Sequence, residues 1–183
     1  MPFLETEIKD LVIYEPRIFP DDRGYFFESF SQRAFEAEGY TMKWVQDNQA
    51  RSCYGVIRGL HYQQEPHAQT KLIRVLEGRI LDVVVDIRSA SPTYGKVFSI
   101  ELSAENKKQL LVPRGFAHGY SVLSETAEIL YKCDGFYNKE SEGGIRYDDP
   151  ALNIDWQIPA SKALLSPKDM ELPVLTQAVN NFI

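Results

Sequence analysis

The chain has 183 residues, 44% of them hydrophobic and 25% charged, with a formal net charge of -6. That length suits one well-buried domain over 1–183 and is short for two. The acidic balance, with a pI near 5.1, argues against a general nucleic-acid or anionic-membrane binder, although local Arg and Lys groups can still hold an anionic ligand. The start, Met1-Pro2-Phe3-Leu4-Glu5-Thr6-Glu7, lacks the basic end and apolar run of a signal peptide. No stretch approaches the roughly 20 apolar residues that span a bilayer. Cys53 and Cys133 form no CxxC pair or disulfide framework and read as two buried thiols of a reducing compartment. The expectation is a soluble, cytoplasmic protein.

In chain order, the first predicted element is a helix that Ser29 or Ser31 caps and Gly39 stops, with Ser29-x-x-Gln32 fitting a capping box. Strand-like runs follow. Lys71–Val75 leads through the Glu77-Gly78 turn into Ile80–Ile87, where Leu81, Val83, Val85 and Ile87 share one face and Asp82, Val84 and Asp86 the other. After the turn at Ser91-Pro92-Thr93-Tyr94-Gly95, further runs lie at Lys96–Leu102, Gln109–Val112, Gly119–Leu123 and Ala127–Cys133. From Pro159 the chain mixes Pro, Lys and Leu and predicts loop with one or two short helical turns. Many short strands with one early helix predict an all-β fold, a jelly-roll sandwich or related barrel whose ligand site lies between the sheets.

Two of the three histidines sit in suggestive cassettes, Arg58-Gly59-Leu60-His61-Tyr62-Gln63 and Pro113-Arg114-Gly115-Phe116-Ala117-His118-Gly119-Tyr120. Histidine suits proton transfer or metal ligation. Pro113-x-Gly115-x-x-His118 matches the second motif of metal-binding cupins. In the first motif, however, Gln63 stands where a second histidine belongs and His67 where an acidic ligand belongs, so a three-ligand metal site is hard to assemble. Acid–base chemistry is the sharper reading. Proton abstraction beside a ketone needs a base, a donor for the enolate oxygen and, for inversion, an acid on the opposite face. His61 suits the base. Lys71, in an otherwise apolar strand, suits the oxyanion partner, and Tyr131, alternating with Ile129 and Cys133, suits the acid. Each of these residues is also compatible with an ordinary structural role.

Taken together these segments resemble the dTDP-4-dehydrorhamnose 3,5-epimerase family almost end to end, from Ile13-Tyr14-Glu15-Pro16 to about Asp169. The resemblance is carried by Phe19-Pro20-Asp21-Asp22-Arg23-Gly24-Tyr25-Phe26-Phe27-Glu28-Ser29-Phe30, Val45-Gln46-Asp47-Asn48, the two histidine cassettes, Gln69-Thr70-Lys71 and Leu130-Tyr131-Lys132. It implies a cupin jelly roll without metal or other cofactor, usually a homodimer exchanging N-terminal strands. It implies inversion of C3 and C5 of dTDP-4-dehydro-6-deoxy-D-glucose to give dTDP-4-dehydro-L-rhamnose. A single-centre epimerase or ketoisomerase of a related dTDP-4-keto-6-deoxyhexose is the alternative. Carried over by position, His61 is the base, paired with Asp169; Tyr131 is the acid; Lys71 meets the C4 oxygen. Arg23, Phe26, Glu28, Gln46, Asp47, Asn48, Arg58, His118, Glu142 and Lys168 are implied to bind substrate. Arg23, Arg58 and Lys168 suit a diphosphate and Phe26 a thymine ring.

Overall fold

In the computed structural model, which describes residues 2–183 and so all but the first position of the expected domain, strands dominate, as the alternating runs require. In chain order they are β1 (Phe3–Glu5), β2 (Val12–Tyr14), β3 (Ile18–Asp21), β4 (Gly24–Phe27), β5 (Gln46–Cys53), β6 (Ile57–Gln63) and β7 (Lys71–Glu77). The rest are β8 (Arg79–Asp86), β9 (Val97–Ser103), β10 (Gln109–Val112), β11 (Phe116–Val122), β12 (Thr126–Cys133) and β13 (Glu142–Gly144). Helix α1 covers Gln32–Ala37 and α2 covers Pro167–Met170, with single 3-10 turns at Lys139–Ser141 and Ala160–Lys162. No helix among the described residues is long and apolar enough to cross a membrane.

The strands form a six-stranded sheet in the order β1-β2-β10-β7-β12-β5, a five-stranded sheet in the order β13-β6-β11-β8-β9, and a separate β3–β4 hairpin. The two large sheets face each other. Between them Ile73, Val75, Ile80, Val84, Leu110, Val122 and Ile129 make the central core. The outer face of the five-stranded sheet is buried as well: Leu60, Leu81, Val83 and Val85 pack on Trp156, Leu175 and Phe182 from the C-terminal segment. That is why β8 carries apolar residues on both faces; Asp82 and Asp86, on its other face with Val84, are fully buried as well.

On the outer face of the six-stranded sheet, Phe35 of α1 packs against Val12, Tyr14, Leu72 and Leu111. Burying this fully enclosed phenyl ring contributes about 2–3 kcal/mol. Of the two serines expected, Ser31 is the N-cap, and its side chain makes no capping hydrogen bond. Instead of closing a capping box, the Gln32 amide donates to Glu36 and to the Met42 carbonyl. Turn chemistry is tight at Gly78, between β7 and β8: its φ is +73°, and an added Cβ would lie 2.0 Å from the Thr126 carbonyl oxygen. Of the two cysteines only Cys133 is buried. Cys53, closing the edge strand β5, is exposed, contrary to the expectation of two buried thiols.

Candidate active site

The site is built from the inward stripes of both sheets. Period-two alternation turns Lys71, Ile73 and Val75 of β7 and Ile129, Tyr131 and Cys133 of β12 toward the opposite sheet. On β5 the same rule turns Gln46 and Asn48 inward and Asp47 outward. From β6 come Arg58 and His61, three residues apart. A regular strand would point them to opposite faces. The pairing with β11 shifts register between them: Arg58 lies opposite Tyr120 and His61 opposite His118, so both join one face. Gly59 makes this irregularity possible. Its φ is +125°, and a Cβ there would meet the Gly119 Cα at 2.5 Å and the His118 carbonyl oxygen at 2.8 Å.

The inward stripes enclose a cleft with two connected chambers. The outer, of about 410 Å³, is lined by residues including Gln46, Asn48, His61, Lys71, Tyr131, Glu142 and Lys168. The inner, of about 270 Å³, adds Arg58, His118, Tyr120, Ser166 and Asp169. His61, Lys71, Tyr131 and Lys168 line both.

The His61 Nε2 lies 2.6 Å from Asp169 Oδ1. Asp169 stands in the short α2, where Pro167 begins the turn and the Ser166 hydroxyl accepts from the Asp169 N–H at 3.1 Å. Burial pushes the Asp169 carboxyl up. The hydrogen bond and charge of His61, with Ser166 and the Gly59 backbone, outweigh it and hold the carboxyl below its usual value. A carboxylate therefore stands ready to support an imidazolium. Burial lowers the proton affinity of Lys71, with Cys133 and Asp82 acting in the opposite sense. Burial raises the Tyr131 phenol, reinforced by Cys133 and Tyr120 and opposed by Arg58, so it rests as a proton donor at neutral pH.

Further sequence-predicted residues gather here. Arg58 donates to the Ser52 hydroxyl through Nε and Nη2, each at 3.2 Å. Lys168 Nζ meets Glu142 Oε2 at 2.5 Å at the cleft. His118 lies within β11, and its Nε2 is 3.0 Å from each Asp82 oxygen. Four predicted binding residues do not line the chambers of their own chain. The Asp47 side chain points outward to Lys132 at 3.1 Å. Arg23, Phe26 and Glu28 belong to the projecting β3–β4 hairpin and its exit: among the described residues Arg23 pairs only with Asp21, and Phe26 is 71% exposed. Glu28 lies on a separate groove with Tyr14, Arg17 and Phe19.

Sequence reasoning passed over Tyr137, Gln69, Tyr120 and Asp82. For Asp82 a signal existed, an acidic residue inside an apolar alternating run. Gln63, which stands in place of a metal-ligating histidine, has its amide fully engaged: Nε2 donates to the His67 carbonyl at 2.8 Å and Oε1 accepts from the Asn138 N–H at 2.6 Å. Among the described residues no three His, Cys, Asp or Glu side chains converge as a metal site.

Comparison with known proteins finds relatives along most of the chain. The family model described as dTDP-4-dehydrorhamnose 3,5-epimerase matches residues 5–177. The chain is 53% identical over 171 residues to a dTDP-4-dehydrorhamnose 3,5-epimerase of Shigella flexneri, covering 93% of each. The crystal structure of a dTDP-4-dehydrorhamnose 3,5-epimerase from Elizabethkingia anophelis NUHP1 is similar with a TM-score of 0.91 at 53% identity, over 95% of this chain and 96% of that one. A Legionella pneumophila dTDP-6-deoxy-D-glucose-3,5-epimerase solved with dTDP-4-keto-L-rhamnose is similar with a TM-score of 0.91 at 48% identity, over 96% and 93%.

Proposed function

This chain belongs to the dTDP-4-dehydrorhamnose 3,5-epimerase family, and we infer that it inverts C3 and C5 of dTDP-4-dehydro-6-deoxy-D-glucose to give dTDP-4-dehydro-L-rhamnose. It is an isomerase of dTDP-sugars. The observation that carries the reading is a single cleft lined from opposite sheets by His61 and Tyr131, with Lys71 in the same chambers.

The C4 ketone acidifies the C–H bonds on either side of it. His61, with Nε2–H held on Asp169, takes the proton at its free Nδ1; the C–H electron pair becomes a C=C bond to C4, and the carbonyl π pair moves onto the C4 oxygen. The Lys71 ammonium stabilises that enolate. Tyr131 returns a proton to carbon from the other face as the enolate reverts to the ketone, and solvent restores the phenol and the imidazole. The same sequence at the second carbon completes the reaction. It is redox-neutral and uses only side-chain acids and bases.

Arg58, His118, Glu142 and Lys168 line the cleft where the sugar nucleotide binds, with Gln46 and Asn48 as amide partners. The whole of 1–183 acts as one domain. The active form is a homodimer in which each β3–β4 hairpin crosses to the partner. That arrangement gives Arg23, Phe26 and Glu28, which lie outside the cleft of their own chain, a cleft to serve. The free cysteines support a cytoplasmic location.

Incubation with the 4-keto sugar nucleotide in D2O, read by NMR without added metal or nicotinamide, tests the reading. Deuterium at both C3 and C5 with the L-rhamno product is expected. Label at one carbon alone would make this a single-centre epimerase, and no exchange would overturn the assignment.

A further inference from the structure

Asp82 takes no part in the proton transfers described above. It lies in β8 between Leu81 and Val83 and is fully buried. A carboxylate so enclosed requires compensating partners. Both of its oxygens lie 3.0 Å from one nitrogen, His118 Nε2. The β8–β11 register explains the arrangement. Asp82 is opposite Tyr120 and Val84 is opposite His118, so Asp82, His118 and Tyr120 share the face that lines the inner chamber. The same chamber is lined from the other sheet by Lys71. Among the described residues its ammonium has no hydrogen-bond or ion-pair partner. Burial works against its charge, while Cys133 and Asp82 support it. Burial also raises the Cys133 thiol and so keeps it neutral, which leaves Asp82 as the counter-charge.

We propose that Asp82 is a positioning residue for enolate formation: it holds His118 with Nε2–H turned to the carboxylate and Nδ1 left for the sugar, and it keeps Lys71 an ammonium at the C4 oxygen. This inference rests on the epimerase reading above. The charged and titratable groups facing this arrangement are His118 and Tyr120 of β11, Lys71 of β7, Tyr131 and Cys133 of β12, and Arg58 of β6. The β9 neighbour of Asp82 is the apolar Ile100.

The test is Asp82→Asn, which preserves shape and one acceptor while removing the charge. The expected loss in kcat is about 10- to 100-fold, because the oxyanion partner is weakened rather than deleted. KM changes by less than about threefold, since nothing that contacts the nucleotide is removed. The basic limb of the kcat/KM profile moves down by about one pH unit, because Lys71 then loses its proton more readily. A merely structural carboxylate would leave that limb in place. A folded variant with wild-type kcat and an unmoved limb overturns the proposal.

Should the variant not fold, imidazole 15N shifts of the wild-type protein decide the matter, with the three histidines assigned through His61→Asn and His67→Asn. His118 resting with the proton on Nε2 supports the proposal, and the Nδ1–H tautomer overturns it. A wild-type protein that turns over no 4-keto sugar nucleotide sinks the epimerase reading instead, which the tautomer measurement does not require.

Discussion

Replacing Asp169 by Asn removes a charge from beside His61 with almost no change in volume. The contact is 2.6 Å, between a carboxylate 5% exposed and an imidazole 41% exposed. When His61 takes a proton, positive charge appears roughly 4 Å from the carboxylate centre, worth about 4 kcal/mol at an effective dielectric near 20. Water on the open side of His61 screens about half of this, leaving about 2 kcal/mol, or roughly 30-fold in rate. A second effect adds to the first. The Asn amide can donate to Nε2, which selects the tautomer with its proton on Nδ1, where a lone pair is needed; tautomer reversal in a His–Asp pair reaches about 10⁴-fold. The expected loss is therefore at least about 30-fold. The assay is the initial rate of deuterium entry at C3 and C5, followed by NMR beside a thermal melt. Exchange within about threefold of wild type in a natively folded variant would refute the reasoning, because such a change is under 1 kcal/mol.

Tyr131→Phe should leave proton removal by His61 intact while epimerised product falls about 100- to 1000-fold, through loss of the opposite-face acid. NMR then reads exchange into unepimerised substrate, and normal product formation would require a different acid. If the β3–β4 hairpin serves the partner's cleft, co-expressing Arg23→Ala with His61→Asn restores about a quarter of wild-type activity, since half of the dimers carry one intact site; no recovery in verified heterodimers argues against exchange. Asp86 governs acid stability. Burial pushes its carboxyl up, but bonds from Arg88, Ser91 and Thr93 outweigh this and lower it to about 2. A folded-state value below the unfolded one means the stabilisation is complete above about pH 4 and is lost as pH falls toward 2, a difference of about 2 kcal/mol. Urea unfolding should therefore separate wild type from Asp86→Asn by about 2 kcal/mol less at pH 2 than at pH 7; a pH-independent gap contradicts the assignment.

Much of the fold was legible because strand alternation is local. Gln109–Val112 coincides with β10, and the runs at Lys71, Ile80, Lys96 and Ala127 fall within a residue or two of β7, β8, β9 and β12. The early strands β1 to β5 and the site strand β6 were not read as strands. Tyr25 and Phe26 sit on the open hairpin, and Gln46–Cys53 is polar on both faces, so neither carries a clear period-two signal. The residue types of the proposed chemistry could be named from the chain, since base, oxyanion partner and acid each demand particular side chains.

What the sequence by itself determined was the all-β class, the inward stripes holding Lys71 and Tyr131, and the chemistry that His61 is fitted for. Only the tertiary structure decided that Arg58 and His61 share a face, that Asp82 lies beneath His118, and that Arg23 and Phe26 stand outside the cleft of their own chain. The physical reason is that alternation tells which way a side chain leaves its own strand. The register irregularity at Gly59, and the sheet that comes to lie opposite, depend on the close approach of chain segments far apart in sequence.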